Sequence, residues 1–147
     1  QRLSRGLGDV YKRQMLNGAL AGLVAITAEP LTPGPITAMF IGSIGAIIMY
    51  FGTKMLESYG LDDVVGAIPV HMFAGIFGTL VVPLTNSDTS FGTQFIGTAS
   101  VCIFSFGLSW ITFTLLKSTI GLRISKAAEK LGTDKAEVGV TAYSIRD

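Results

Sequence analysis

Three stretches of this chain, residues 30–53, 64–87 and 89–116, contain no Asp, Glu, Lys or Arg. Each is long enough for the roughly 17–25 residues that a helix needs to cross the hydrocarbon layer of a bilayer. Residues 15–28, MLNGALAGLVAITA, are apolar too but shorter. Helix breakers separate the runs. Glu29 precedes Pro30, and a residue before proline is pushed out of the helical region; Pro33 and Pro35 follow closely, and Pro83 opens the next polar cluster. This punctuation predicts four transmembrane helices at residues 15–28, 36–53, 64–82 and 91–116, with turns at 31–35 and 83–90 and a polar connection at 54–60. Asp62 and Asp63 stand just before the third helix, where a carboxylate accepts hydrogen bonds from amides that lack an intrahelical partner. Asp63 is accordingly read as a structural helix cap.

The two ends differ from the middle. Residues 1–14, QRLSRGLGDVYKRQ, are polar and basic and lack the apolar core of a signal peptide. They read as a non-native leader of the library-adapter kind, the alternative being a short basic cytoplasmic arm; the final residues SIRD read the same way. On the leader reading, the chain is an incomplete C-terminal part of a longer protein. Residues 117–147 form a tail. Ile124, Ala127, Ala128 and Leu131 recur at helical spacing opposite Lys126, Glu129 and Lys130, which predicts a short amphipathic helix stopped by Gly132. Asp134 and Glu137 have the spacing of a second capping box. The tail is either a solvated end or a docking element, and periodicity does not choose between them. The turns at 31–35 and 83–90 carry no Lys or Arg, whereas Lys117, Arg123, Lys126, Lys130 and Lys135 follow the last helix. The positive-inside rule therefore places the tail, and the connection containing Lys54, in the cytoplasm.

Composition supports a membrane protein. Hydrophobic residues make up 49% and charged residues only 14%, against about 25% charged in a soluble domain. The 18 glycines suit close helix packing, and Gly18 and Gly22 have the small-xxx-small spacing that favours it. A net charge of +1, with the basic residues gathered at the ends, makes no case for nucleic acid. The lone Cys102 has no partner for an internal disulfide and reads as a small apolar residue. No acid–base pair, nucleotide loop or metal-ligand cluster is present, so neither an enzyme nor a cofactor or metal is expected.

The candidate for chemistry is the chain's one histidine, His71, inside the third apolar run. An ionisable group at bilayer depth is kept mainly where it faces a cavity, a pathway or a partner. Burial there disfavours imidazolium and leaves a ring that both donates and accepts. An inert interhelical hydrogen bond has the same appearance in sequence. Ile68, Val70, Phe73 and Ile76 share the segment and either line a pathway or simply pack.

Four passages together resemble the ammonium transporter (Amt/Mep/Rh) family: NGALAGLVAITA at 17–28, DDVVGAIPVH at 62–71, GIFGTL at 75–80 and GLRISKAAEKLGTDKAEVGVTAY at 121–143. Their order and spacing agree with the family over nearly all of residues 15–143. The resemblance implies an all-α, polytopic transmembrane bundle of eleven helices per subunit, assembled as a homotrimer in the cell (inner) membrane, of which this chain supplies the last four helices and the cytoplasmic tail. It implies ammonium or ammonia as substrate. It also implies a narrow hydrophobic pore with two facing histidines, His71 matching the second, and a proton path that uses them. Gly121, Arg123, Gly132, Asp134 and Tyr143 fit the family's tail and are the candidate docking residues. A PII-type signal protein at the cytoplasmic face is an implied partner. Two departures stand out: Met72 occupies a position where the family usually has glycine, and Glu137-Val138-Gly139-Val140 replaces a more polar tail pattern. Pro69, two residues before His71, predicts a kink. The competing classes are an ammonium sensor or regulatory membrane subunit, and a small non-transporting membrane assembly protein.

Overall fold

Proline and glycine set the ends of the helices. The computed structural model describes residues 7–140, with side chains from residue 12. Helix α1 (Leu7–Ile26) is followed by a proline-rich turn and α2 (Pro35–Ser58). Pro35 takes the first helical position, where its missing N–H is no loss and its φ is already helical. At the far end Gly60, with φ 70°, reverses the chain. Its N–H donates to the Glu57 carbonyl at 3.0 Å and that of Leu61 to the Leu56 carbonyl at 3.0 Å, the paired bonds of a Schellman stop.

A π-helical turn (Ile68–Phe73) comes next and runs into α3 (Ala74–Val81) and a 3-10 turn (Val82–Leu84). After it stand α4 (Phe91–Thr119), α5 (Lys126–Leu131) and a second π turn (Asp134–Val138). Every regular element among the described residues is helical. The chain forms two units, residues 1–102 and 103–147.

In the first unit α1, α2 and the π–α3 segment pack on one another. The contact is built from small residues. A Cβ on Gly45 would lie 2.6 Å from the Ala25 Cβ, one on Gly22 would lie 3.2 Å from the Gly42 carbonyl oxygen, and one on Gly78 would collide with the Ala25 backbone. Lipid tails are as apolar as leucine, so van der Waals contact at close approach, rather than expulsion of water, favours such helix pairs. Ala21, Met49, Val70 and Ala74 form the buried cluster, with Val24 against it. Hydrogen bonds tie the two ends. Asn86 Nδ2 donates to Glu29 Oε2 at 2.8 Å, joining the two turns that lack Lys and Arg. At the other end Asn17 Nδ2 donates to the Val65 carbonyl at 3.0 Å.

The element bounds differ from the sequence reading in places. Helix α1 begins at Leu7, inside the segment read as a leader. The third helix is a composite, and residues 61–66 before it are non-helical. Among the described residues two helices, α2 and α4, are long and apolar enough to span a bilayer; the stretch Ile68–Leu84 is apolar but shorter. Helix α1 has 20 residues, about 30 Å of helix, and carries Lys12 and Arg13 near its start. No residue of α4 is buried, and its apolar side chains, Phe95, Ile103 and Phe104 among them, are exposed.

In the second unit, Gly121 (φ 79°) turns the chain after α4. Ser125 then caps α5, its Oγ accepting from the Ala128 N–H at 3.2 Å. Gly132 (φ 100°) ends that helix. The capping box expected from Asp134 and Glu137 would put the cap on Asp134. The cap position falls on Thr133, whose backbone is already helical, because the Ala136 N–H bonds back to the Gly132 carbonyl at 2.9 Å and the turn starts earlier.

Candidate functional site

His71 sits in the middle of the π turn. In that turn the Ala74 N–H donates to the Pro69 carbonyl, five residues back. The wider ring sorts the segment into two faces. Pro69 and Val70 are fully buried toward α1 and α2, whereas His71 and Met72 are exposed, Met72 by 49%. Among the described residues no group hydrogen-bonds or ion-pairs with the imidazole. The burial expected of His71 is thus not supplied by these helices: the residue is exposed, on the face opposite the buried Pro69 and Val70. Val70, a candidate lining residue, belongs to the buried cluster instead, and Phe73 packs toward α2 at Gly52. Ile68 is 37% exposed and Ile76 half-buried.

The carboxylate of Asp63 holds the head of this segment. Its Oδ1 accepts from the Ala67 N–H at 2.9 Å and its Oδ2 from the Ile68 N–H at 2.7 Å. Pro69 has no N–H to give the Val65 carbonyl, and Asn17 of α1 supplies that donor. Gly66, at φ 76°, presses against the Asn17 amide. On the other side Gly52 of α2 admits the Phe73 ring and Pro69: a Cβ there would fall 2.5 Å from Phe73 Cδ2 and 3.2 Å from Pro69 Cβ. Asn17 and Gly52 were not among the residues singled out from sequence. The signal for Asn17 was a lone amide in an otherwise apolar run, whereas nothing in one sequence marks which of many glycines meets a ring.

Glu29, read from sequence only as the residue that ends the first helix, has a hydrogen-bonded role. Asn86 donates to it, as do the backbone N–H groups of Leu31 and Thr32, each at 3.3 Å. The Asn86 bond above all, with the two backbone bonds, holds the carboxyl below its ordinary range, and partial burial opposes this shift.

The tail candidates are not gathered at one point. Gly121 and Gly132 are left-handed or positive-φ hinges, Arg123 pairs with Glu129 at 2.7 Å on an exposed surface, and Asp134 opens the second π turn. Tyr143 and the SIRD segment lie outside the described residues, as do residues 1–6. Cys102 is a half-buried free thiol. An open groove of about 430 Å³ runs along Phe106, Trp110, Phe113 and Lys117 to Leu122. His71 lines neither this groove nor the narrow cleft beside Ala25, Ile41 and Gly78. Among the described residues no group of His, Cys, Asp and Glu could hold a metal ion.

Glycine-tight helices, two of them of membrane-spanning length and apolarity, together with an imidazole on an uncovered face, define a helical membrane-protein segment. The model of the Ammonium Transporter Family matches residues 7–143, and the chain belongs to that family, whose fold is a helical membrane bundle. It is 38% identical over 148 residues to an ammonium transporter, Amt2, of Archaeoglobus fulgidus, covering 86% of this chain and 31% of that protein. It is 35% identical over 135 residues to Amt2 of Methanocaldococcus jannaschii (86% and 32%) and 32% identical over 144 residues to the ammonium transporter of Corynebacterium glutamicum (87% and 32%). The chain spans about a quarter to a third of the length of the curated relatives it matches.

Proposed function

We propose that this chain forms one wall of an ammonium transporter's pore, with His71 on the surface that lines the path. The observation that carries the reading is the exposure of His71 on an uncovered helical face, in a chain matched to the family over residues 7–143. Helices outside this chain cover that face and complete the pore. The substrate is ammonium, and the species that crosses the apolar interior is ammonia, because an unpaired cation is too costly to desolvate there. Covered on all sides, the imidazole acts as a donor and acceptor in the return path of the proton. The work is transport rather than catalysis.

The membrane is the cell (inner) membrane, with the tail and the connection at 59–66 on the cytoplasmic side. The Glu29–Asn86 bond supports that topology, since it brings the two turns without Lys or Arg to one end. The transporter assembles as a homotrimer, and its cytoplasmic face, with the tail residues Gly121, Arg123, Gly132, Asp134 and Tyr143, is where a PII-type regulator docks. Asp63 serves as a structural cap and takes no part in conduction.

Methylammonium uptake tests the reading in cells without ammonium transporters of their own, using a longer family transporter whose matching region is replaced by this segment. Uptake by the parent, lost by at least tenfold in an assembled His71→Ala variant, is the expected result. Equal uptake by both would reduce His71 to a packing residue.

A further inference from the structure

The π turn that carries His71 is held from two sides by residues with no other visible task. From α1, Asn17 supplies the hydrogen bond that Pro69 cannot make to the Val65 carbonyl, so the chain enters the turn with that carbonyl satisfied. From α2, the absent side chain of Gly52 leaves the space that Phe73 and Pro69 fill. Pro69 and Phe73 lie two residues to either side of His71, and the Pro69 carbonyl accepts the bond that makes the turn π rather than α. One residue is added to the turn without unwinding it, and each added residue rotates the following side chains by roughly 100° about the helix axis. Which side chain of the segment faces outward therefore depends on keeping this turn wide.

We propose that Asn17 and Gly52 are positioning residues that hold the π turn and so aim His71 at the uncovered face. This inference rests on the reading of that face as a pore wall, but its structural half is testable without transport. A methyl group on Gly52 would sit 2.5 Å from Phe73 Cδ2, about 1 Å inside the favourable separation for two carbons. The aromatic ring or the whole turn must then move. Proline cannot yield by rotating a side chain, so the displacement passes into the backbone that carries His71. Removing the Asn17 amide takes away the bond that ties the Val65 carbonyl to α1 and relaxes the entry to the turn.

Because the full chain has one histidine, histidine-labelled NMR of the chain in lipid nanodiscs reports on His71 alone. Gly52→Ala and Asn17→Ala are each expected to displace the imidazole resonances. Trimming the obstructed ring in Gly52→Ala/Phe73→Leu should return them toward the parent position. The same variants in the longer transporter should lower uptake per assembled molecule by at least tenfold for Gly52→Ala, with the double variant recovering to within about threefold of the parent. Unmoved resonances in a folded Gly52→Ala chain, or displaced resonances that the second substitution does not restore, would overturn the inference. So would displaced resonances with unchanged uptake. If instead His71→Ala itself leaves uptake intact, the pore-wall reading fails, and the NMR result still decides whether the turn is held as described.

Discussion

At the residue scale, two side chains stand out, for opposite reasons. His71 matters because none of the described residues hydrogen-bonds or ion-pairs with its imidazole; Glu29 matters because three donors bind its carboxylate. The Glu29 carboxyl is held below its ordinary range, chiefly by Asn86. A carboxyl whose folded pKa is depressed stabilises the fold above its unfolded value, about 4.3, and that contribution disappears as pH falls through the lower folded value. Thermal unfolding of the chain in detergent should thus separate the parent from Glu29→Gln at pH 7, with the gap closing as the pH is taken below 4. A gap that stays constant with pH would mean that the charged form contributes nothing special. Ser125, by contrast, has an ordinary capping role. Ser125→Ala should weaken the tail helix by about 1 kcal/mol, read as faster amide exchange across residues 126–131 with no change in the first unit.

At the element scale, the close approach of α1, α2 and α3 depends on glycines that leave no room for a side chain. Gly45→Leu should destabilise the first unit by roughly 1–3 kcal/mol, measurable as a lower denaturation midpoint. The same change at Gly97, which has open space around its Cβ position, should have little effect on this chain. The helices α2 and α4 were legible in advance because long charge-free runs bounded by proline and glycine leave few alternatives. The third helix was legible only in outline. Hydrophobic content does not distinguish an α turn from a π turn, and the one warning was Pro69, whose predicted kink takes the form of a widened turn with an outside donor. The start of α1 within the supposed leader was not legible either, since basic residues at a helix start resemble a polar arm. Nor was the start of the second π turn legible, since spacing alone cannot say that its cap falls on Thr133 rather than Asp134.

At the scale of the whole molecule, the unit of three packed elements has a buried side, lined by Ala21, Met49, Val70 and Ala74, and an open side bearing His71 and Met72. That asymmetry was invisible in the sequence, which marked His71 as unusual but expected it to be enclosed. An enclosure made by other helices reconciles the two. The topology offers its own check. With Cys102 replaced by serine, a membrane-impermeant maleimide applied to intact cells should label Ser87→Cys and spare Lys135→Cys; the reverse pattern would invert the proposed orientation.

The measurement that bears most directly on the central claim is the ammonium-evoked current per molecule transported, in the longer transporter carrying this segment reconstituted into liposomes. Parent and His71→Ala proteins would be compared at equal amounts of assembled protein. If His71 faces the conduction path and serves the proton's return, the variant loses current by at least tenfold, or continues uptake with the current uncoupled from it. Unchanged current at unchanged uptake would contradict the account, leaving His71 as a bystander on a helix surface.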